Sequence, residues 1–269
     1  MTIIFYPLQR FLFVFLPLVF ILFTGCQKDI RGPNEIKAKG TLRVLTLNSP
    51  TTYYENREGE NVGFEHDLVT LYADYLGVDV EFLVVDTIEQ LFESLRLGKA
   101  DFIAAGIAKT KARSAGVLFS PAYQKVSLDV VCRRGVKPDS PRDLVGRKLL
   151  VGNGTSYVGV LEKLKKEYPD LSWSVVEGPS TSFILKKLWS KEADCSMFDS
   201  HIVSFHRRYY PRLETPFSFK EEQSLAWVLD GKNRALKASL DEWFKNQLNS
   251  DQLESLQQRY YGFTDEFDP

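Results

Sequence analysis

Between Leu42 and Ala108, short apolar runs alternate with amphipathic helical patterns, and this alternation restricts the chain to very few folds. Residues 42–47 and 78–85 read as strands. Between them Phe64, Leu68, Leu71, Tyr72 and Tyr75 keep helical spacing, with Gly77 placed to cap the helix end. Asp86 and Thr87 can open a second helix with Ile88, Leu91, Phe92 and Leu95 on its inner face and Gly98 closing it. The run 102–108 is too short for a helix and lacks polar alternation, so it reads as a strand covered on both faces. Two strand-helix units followed by another strand predict a parallel sheet flanked by helices.

Chemistry-bearing residues gather where that third strand ends. Thr110 and Arg113 stand in a Thr-x-x-Arg pattern, and Ser120, Pro121, Ala122 and Tyr123 follow. Open α/β sheets bind ligands beyond the carboxyl ends of their strands, where an arginine fork can grip a carboxylate. On spacing alone, Arg113 reads more readily as a solvated residue in the first turn of a surface helix. The pattern then starts afresh, with strands expected at 127–133 and 148–152 around a short helical turn opened by Ser140 and Pro141. The second strand ends in Gly152, Asn153, Gly154, Thr155 and Ser156, ahead of a helix at 157–168. Free N–H groups at such a helix start suit an anion such as a carboxylate. The loop matches neither the P-loop nor the dinucleotide pattern. A strand at 173–177, a helix capped by Ser180 or Thr181 and a strand at 194–198 lead to Asp199, which either caps a helix at 200–209 or faces a ligand cation. After Pro211 the chain reads as irregular until a strand at 224–229. Two helices finish it, the second opening at Ser250 with Leu253, Leu256 and Tyr260 on one face.

The 269 residues are 44% hydrophobic and 26% charged with a net charge of −1, and no basic block is interleaved with aromatics, which excludes nucleic acid as the expected partner. A small molecule fits better. In the first 26 residues Arg10 is the only side-chain cation, and residues 11–23 form an unbroken apolar run ending at Thr24, Gly25 and Cys26. That is the pattern of a secretory signal peptide. LFTGC resembles the bacterial lipobox, with Phe23 where leucine is usual, so Cys26 is the expected lipid acceptor and residues 27–39 a tether. Gln27, rather than aspartate, points to the periplasmic side of the outer membrane; inner-membrane anchoring and a soluble periplasmic form are the alternatives. Cys132 and Cys195 read as separate buried thiols without a disulfide. His66, His201 and His206 show no zinc-site spacing, and no metal or cofactor is implied.

GTLRV, VGFEHDLVTLYADYLGV, LRLGKADFIAAGIAKTKAR, FSPAY, DLVGRKLLVGNGTS and KEADCSMFDS, in this order, resemble the periplasmic solute-binding proteins of the amino-acid-binding type, family 3. PTTYYE, YADYLGV, DLSW and YYGFTDEFD further resemble the ligand-binding region of the membrane-bound lytic transglycosylases of type F. The resemblance implies the α/β two-lobe periplasmic-binding-protein fold, each lobe a mostly parallel sheet flanked by helices, with a ligand cleft between them. Residues 40–130 and 225–262 would form lobe 1, residues 131–224 lobe 2, and 263–269 a tail. It implies that Arg113, helped by Thr155, takes a ligand carboxylate and that Asp199 takes its ammonium; Thr110 and Ser156, beside them in the chain, are read as further ligand-binding residues. Tyr53 or Tyr54 would cover the ligand side chain. In the transglycosylases a catalytic domain follows, with an acid/base glutamate in a Glu-Ser pair. Here Glu93-Ser94 and Glu254-Ser255 are the only such pairs, both on predicted packing helices and without the downstream Gly-x-Met-Gln, so the chain is expected to be non-catalytic. The implied function is ligand sensing for a transglycosylase domain or partner, or alternatively uptake with a membrane transporter. A dehydratase-type enzyme on the same fold would need Glu65 or His66 as acid/base.

Overall fold

The first strand buries Leu42 and Val44 on one side and Leu45 on the other, so both faces of its sheet are covered. The computed structural model describes residues 29–178 and 181–262. The expected signal peptide, Cys26, the Ser180 cap and the tail lie outside the described residues. In chain order the elements are α1 (Pro33–Lys39), β1 (Thr41–Leu47), a hairpin of β2 (Tyr54–Glu55) and β3 (Asn61–Val62), α2 (Phe64–Leu76), β4 (Asp79–Val85), α3 (Ile88–Arg96), β5 (Phe102–Ile103), β6 (Val117–Phe119) and β7 (Gln124–Cys132). There follow β8 (Leu149–Gly152), α4 (Ser156–Glu167), β9 (Ser174–Val176), α5 (Thr181–Trp189), β10 (Cys195–Asp199), α6 (Ser200–His206), β11 (Glu214–Leu225), β12 (Val228–Asp230), α7 (Arg234–Asn246) and α8 (Ser250–Tyr261).

The strands form two five-stranded sheets, ordered β4-β1-β5-β12-β6 and β11-β7-β10-β8-β9. Each has a parallel part, β4-β1-β5 in one and β10-β8-β9 in the other. The remaining pairs are antiparallel, because the chain crosses to the second sheet through β7 and returns through β11. Each sheet is therefore mixed rather than purely parallel. Leu42, Val44 and Phe102 face a core shared with α2, α7 and α8, whereas Leu45 and Ile103 face one shared with α3. In the first core Trp227 stacks between Phe102 and Trp243, with ring centroids 4.8 and 5.9 Å away. A fully buried tryptophan of this kind is worth about 3–5 kcal/mol relative to alanine.

Several local expectations are corrected. Part of the expected tether, Pro33–Lys39, is a helix, with proline in its first turn and buried Ile36 on its inner side. Just before it Arg31 is buried against the Asp101 carboxylate, which also accepts from the Arg43 backbone N–H at 2.8 Å. The strand expected at 102–108 ends at Ile103, and 105–108 line a cleft. The stretch expected to be irregular after Pro211 contains the twelve-residue strand β11, whose two register shifts blur the alternation that would mark it. Cys132 and Cys195 are not separate thiols: directly opposite each other on β7 and β10, they form a disulfide. Closing so long a loop stabilises a fold by about 2–4 kcal/mol. Helix α8 covers the first lobe as expected, through the Tyr260 hydroxyl, which donates to Asp67 at 2.7 Å and accepts from the Gly63 N–H at 3.1 Å. It also reaches the second lobe, where Tyr261 meets His201.

Candidate functional site

The carboxyl ends of the parallel strands in both sheets open onto one cavity of about 450 Å³ between the lobes. From the first lobe come the turn after β1 (50–52), the start of α3 (86–89), the segment after β5 (105–108) and Arg113. From the second come the glycine loop and the start of α4, then Phe198, Asp199, His201, Ile202 and His206. The lobes approach closely at the glycine loop. Gly154 has φ +67°, and a Cβ there would collide with the Glu89 carboxylate and lie 3.1 Å from Ile88 Cβ. Only glycine meets both demands.

Arg113 ends a 3-10 turn, Lys111–Arg113, capped by the Thr110 hydroxyl, which accepts from the Arg113 N–H at 3.3 Å. Its guanidinium donates to the Ala108 carbonyl at 3.1 Å and, across the cleft, to the Gly154 carbonyl at 2.6 Å. Partial burial draws its pKa below the ordinary arginine value, opposed by Tyr157, Asp199 and Glu89, and it stays cationic at neutral pH. Asp199, only 4% exposed, ends β10. Its backbone N–H donates to the Tyr157 hydroxyl at 3.1 Å, and its Oδ1 has no hydrogen-bond partner among the described residues. Burial pushes its carboxyl up to about 7, against the opposing pull of Arg113 and the Tyr157 hydroxyl. It does not cap α6 with its side chain. A buried acceptor without a partner is costly, and it is satisfied when a donor enters the cavity.

The structure brings Arg113, Asp199, Thr155 and Ser156 together at the cavity, and it separates the other expected residues from it. Thr155 is half committed, since its hydroxyl donates to the Gly152 carbonyl at 2.8 Å. Thr110 serves Arg113 as a cap and does not line the cavity. Neither tyrosine covers the site. The turn at Ser49, where Thr52 and Tyr53 both donate to the Ser49 carbonyl at 3.0 Å, carries Thr51 and Thr52 into the cavity. Tyr53 is thereby sent to the opposite side, against Phe82 (4.9 Å) and His66 (5.8 Å), and Tyr54 joins the small hairpin. Glu65 and His66 are not cavity residues either. Glu65 is buried, accepting from the Gly106 N–H at 2.7 Å, Trp227 Nε1 at 2.8 Å and the Tyr123 hydroxyl, and burial raises its pKa. His66 bonds Asp67 at 2.8 Å. Sequence reasoning missed Tyr157, which supports Asp199, and His201, a lone histidine without any spacing signal. Among the described residues no three His, Cys, Asp or Glu side chains gather as a metal site.

The profile of the bacterial extracellular solute-binding proteins, family 3, matches residues 42–263. The membrane-bound lytic murein transglycosylase F of Stutzerimonas stutzeri is 32% identical over 250 residues, 92% of this chain and 51% of the relative. That of Idiomarina loihiensis is 32% identical over 262 residues, 95% of this chain and 57% of the relative. The chain thus spans about half the length of these curated relatives. Among solved structures, a mutant of ArgBP from T. maritima superposes with a TM-score of 0.75 at 23% identity, covering 87% of this chain and 100% of that one. The amino acid ABC transporter substrate-binding protein AbpA of Streptococcus pneumoniae, bound to L-arginine, gives 0.73 at 24% identity, covering 85% of this chain and 97% of that one. These likenesses carry the two-lobe fold, and the profile carries the family: the chain belongs to the bacterial extracellular solute-binding proteins, family 3.

Proposed function

We propose that the interlobe cleft binds a free amino acid or the terminus of a short peptide, with Arg113 holding the carboxylate and Asp199 the ammonium. The observation that carries this reading is the buried Asp199 Oδ1, which lacks a hydrogen-bond partner among the described residues, in a cavity whose other wall presents the Arg113 cation. One small zwitterion satisfies both. The L-arginine bound by the Streptococcus pneumoniae relative is a ligand of this chemistry. Calorimetry on protein unfolded and refolded to strip any carried ligand, titrated with the common amino acids and short muropeptides, should give saturable heat with at least one. The same preparation should leave peptidoglycan intact. Absence of heat across the whole panel overturns the ligand reading, and release of anhydro-muropeptides overturns the non-catalytic one.

Within the cell the proposed role is that of a lipid-anchored sensing module in a cell-wall system of the transglycosylase F type. The likeness over more than nine-tenths of the chain to the membrane-bound transglycosylases supports this role over that of a transport receptor. Export is supported by the apolar run before Cys26 and by the Cys132–Cys195 disulfide, a bond favoured in oxidising compartments. Mass spectrometry of membrane-extracted protein should find a diacylglyceryl group on an N-terminal Cys26. A mature form beginning elsewhere, or unmodified, overturns the anchor.

A further inference from the structure

His201 lies in the first turn of α6, two residues beyond Asp199, and lines the same cavity. It is 3% exposed, and its Nδ1 has no hydrogen-bond partner among the described residues. Its ring is held from behind by the edge of Tyr261, with centroids 5.3 Å apart at 71°. On another side is Gly106, whose φ of +62° calls for glycine and whose added Cβ would approach His201 Nε2 to 3.9 Å. Gly106 is itself fixed by Glu65 through its N–H. The imidazole is therefore packed on two sides by elements anchored in the first lobe, while its Nδ1 is left without a hydrogen-bond partner among the described residues. Burial brings its pKa down to about 3, so it is a neutral ring, able to donate or accept but carrying no charge.

We infer that His201 is a specificity-determining residue that hydrogen-bonds an uncharged polar group on the ligand side chain. The inference rests on the amino-acid reading of the cleft and sharpens it to a ligand class: amino acids with a hydroxyl or amide group, in preference to apolar side chains of the same shape. Its physical basis is asymmetric. A site that buries a hydrogen-bonding nitrogen gains from a matched partner and loses more when an apolar isostere leaves that nitrogen unpaired. A neutral imidazole supplies no counter-charge for a carboxylate side chain, and the remaining cavity carboxylates, Asp86 and Glu89, stand exposed at the rim.

The test is calorimetry with three near-isosteric pairs, threonine and valine, asparagine and leucine, glutamine and methionine, on the parent, His201→Phe and His201→Gln. In the parent, the polar member of at least one pair should bind about ten- to a hundred-fold tighter than its apolar partner. In His201→Phe that ratio should fall to within about threefold with the apolar member still bound, and His201→Gln should restore part of it. The ¹⁵N resonance of His201 Nδ1 in the parent should shift on adding the preferred polar amino acid. Ratios near one in the parent, an unchanged ratio in His201→Phe, or an Nδ1 resonance indifferent to ligand overturns the inference while leaving the zwitterion reading intact. Failure of every amino acid to bind the parent removes both. The NMR result decides even if His201→Phe fails to fold.

Discussion

Replacing Arg113 with alanine is expected to weaken amino-acid binding by about thirty-fold to several thousand-fold. The range follows from about 2–5 kcal/mol for truncating one partner of a buried charge-assisted pair, at about 1.4 kcal/mol per tenfold in affinity. The structure adds a second reason for the upper half of the range. The guanidinium bonds the Ala108 carbonyl in its own lobe and the Gly154 carbonyl across the cleft, so its loss also removes a tie that holds the lobes together. Arg113→Lys separates the two contributions. Lysine keeps the charge but has no planar fork, and it cannot serve a carboxylate and two carbonyls in fixed geometry. It should recover only part of the lost affinity. Calorimetry against the best ligand of the panel measures both variants. Undiminished binding by Arg113→Ala would return this residue to a purely structural role at the lobe boundary.

How legible the site was depended on whether a residue's direction is set locally. Arg113 and Asp199 could be placed at the cleft because one lies beyond a strand's carboxyl end and the other closes one, but spacing left both with a bland reading and only the family resemblance chose between them. Tyr53 and Tyr54 could not be oriented, because the tight turn at Ser49 decides which of its residues point inward, and it sends Thr51 and Thr52 there. The helix Pro33–Lys39 was hidden because Gly32, Pro33 and Asn34 lie in a stretch that reads as a tether, although proline is favoured in a helix's first turn. The disulfide depends on register. Cys132 and Cys195 lie 63 residues apart and become neighbours only because β7 and β10 pair antiparallel with those two residues opposite. His201 is the extreme case. Nothing near it in the chain distinguishes it, and its burial comes from Tyr261 and Gly106, both distant in sequence. The fold was more legible than the site because apolar periodicity is a local property repeated many times, whereas each of these contacts is a single tertiary event.

Asp199→Asn should make the unliganded protein more stable at neutral and alkaline pH while removing most of its ligand affinity. The carboxyl is raised from an ordinary 3.8 to about 7. The folded state therefore binds more protons than the unfolded chain between those values, and folding stability falls as pH rises through that window. The accumulated cost above pH 7 is about 4 kcal/mol, at about 1.36 kcal/mol per pKa unit. An asparagine carries no such cost, so its advantage should be largest near pH 8 and vanish toward pH 4, as read from urea midpoints across that range. Binding runs the opposite way. A ligand ammonium pairs with the ionised carboxylate, so below pH 7 each site must first release a proton, and affinity of the parent should fall about tenfold per pH unit. Above pH 7 it should level off. In the folded protein His201 and His206, held down to about 3 and about 4, stay neutral above about pH 5, and their uptake of protons in the unfolded chain near 6.5 is common to parent and variant and cancels in the difference between them. Asp129 is also raised by burial, so Asp129→Asn is the control that must leave the binding midpoint near 7. In Asp199→Asn the slope below pH 7 should disappear along with the ammonium's counter-charge. A variant that retains both the slope and the affinity would show that the ammonium sits elsewhere, and that the unpaired Oδ1 is an uncompensated cost of the fold rather than a binding group.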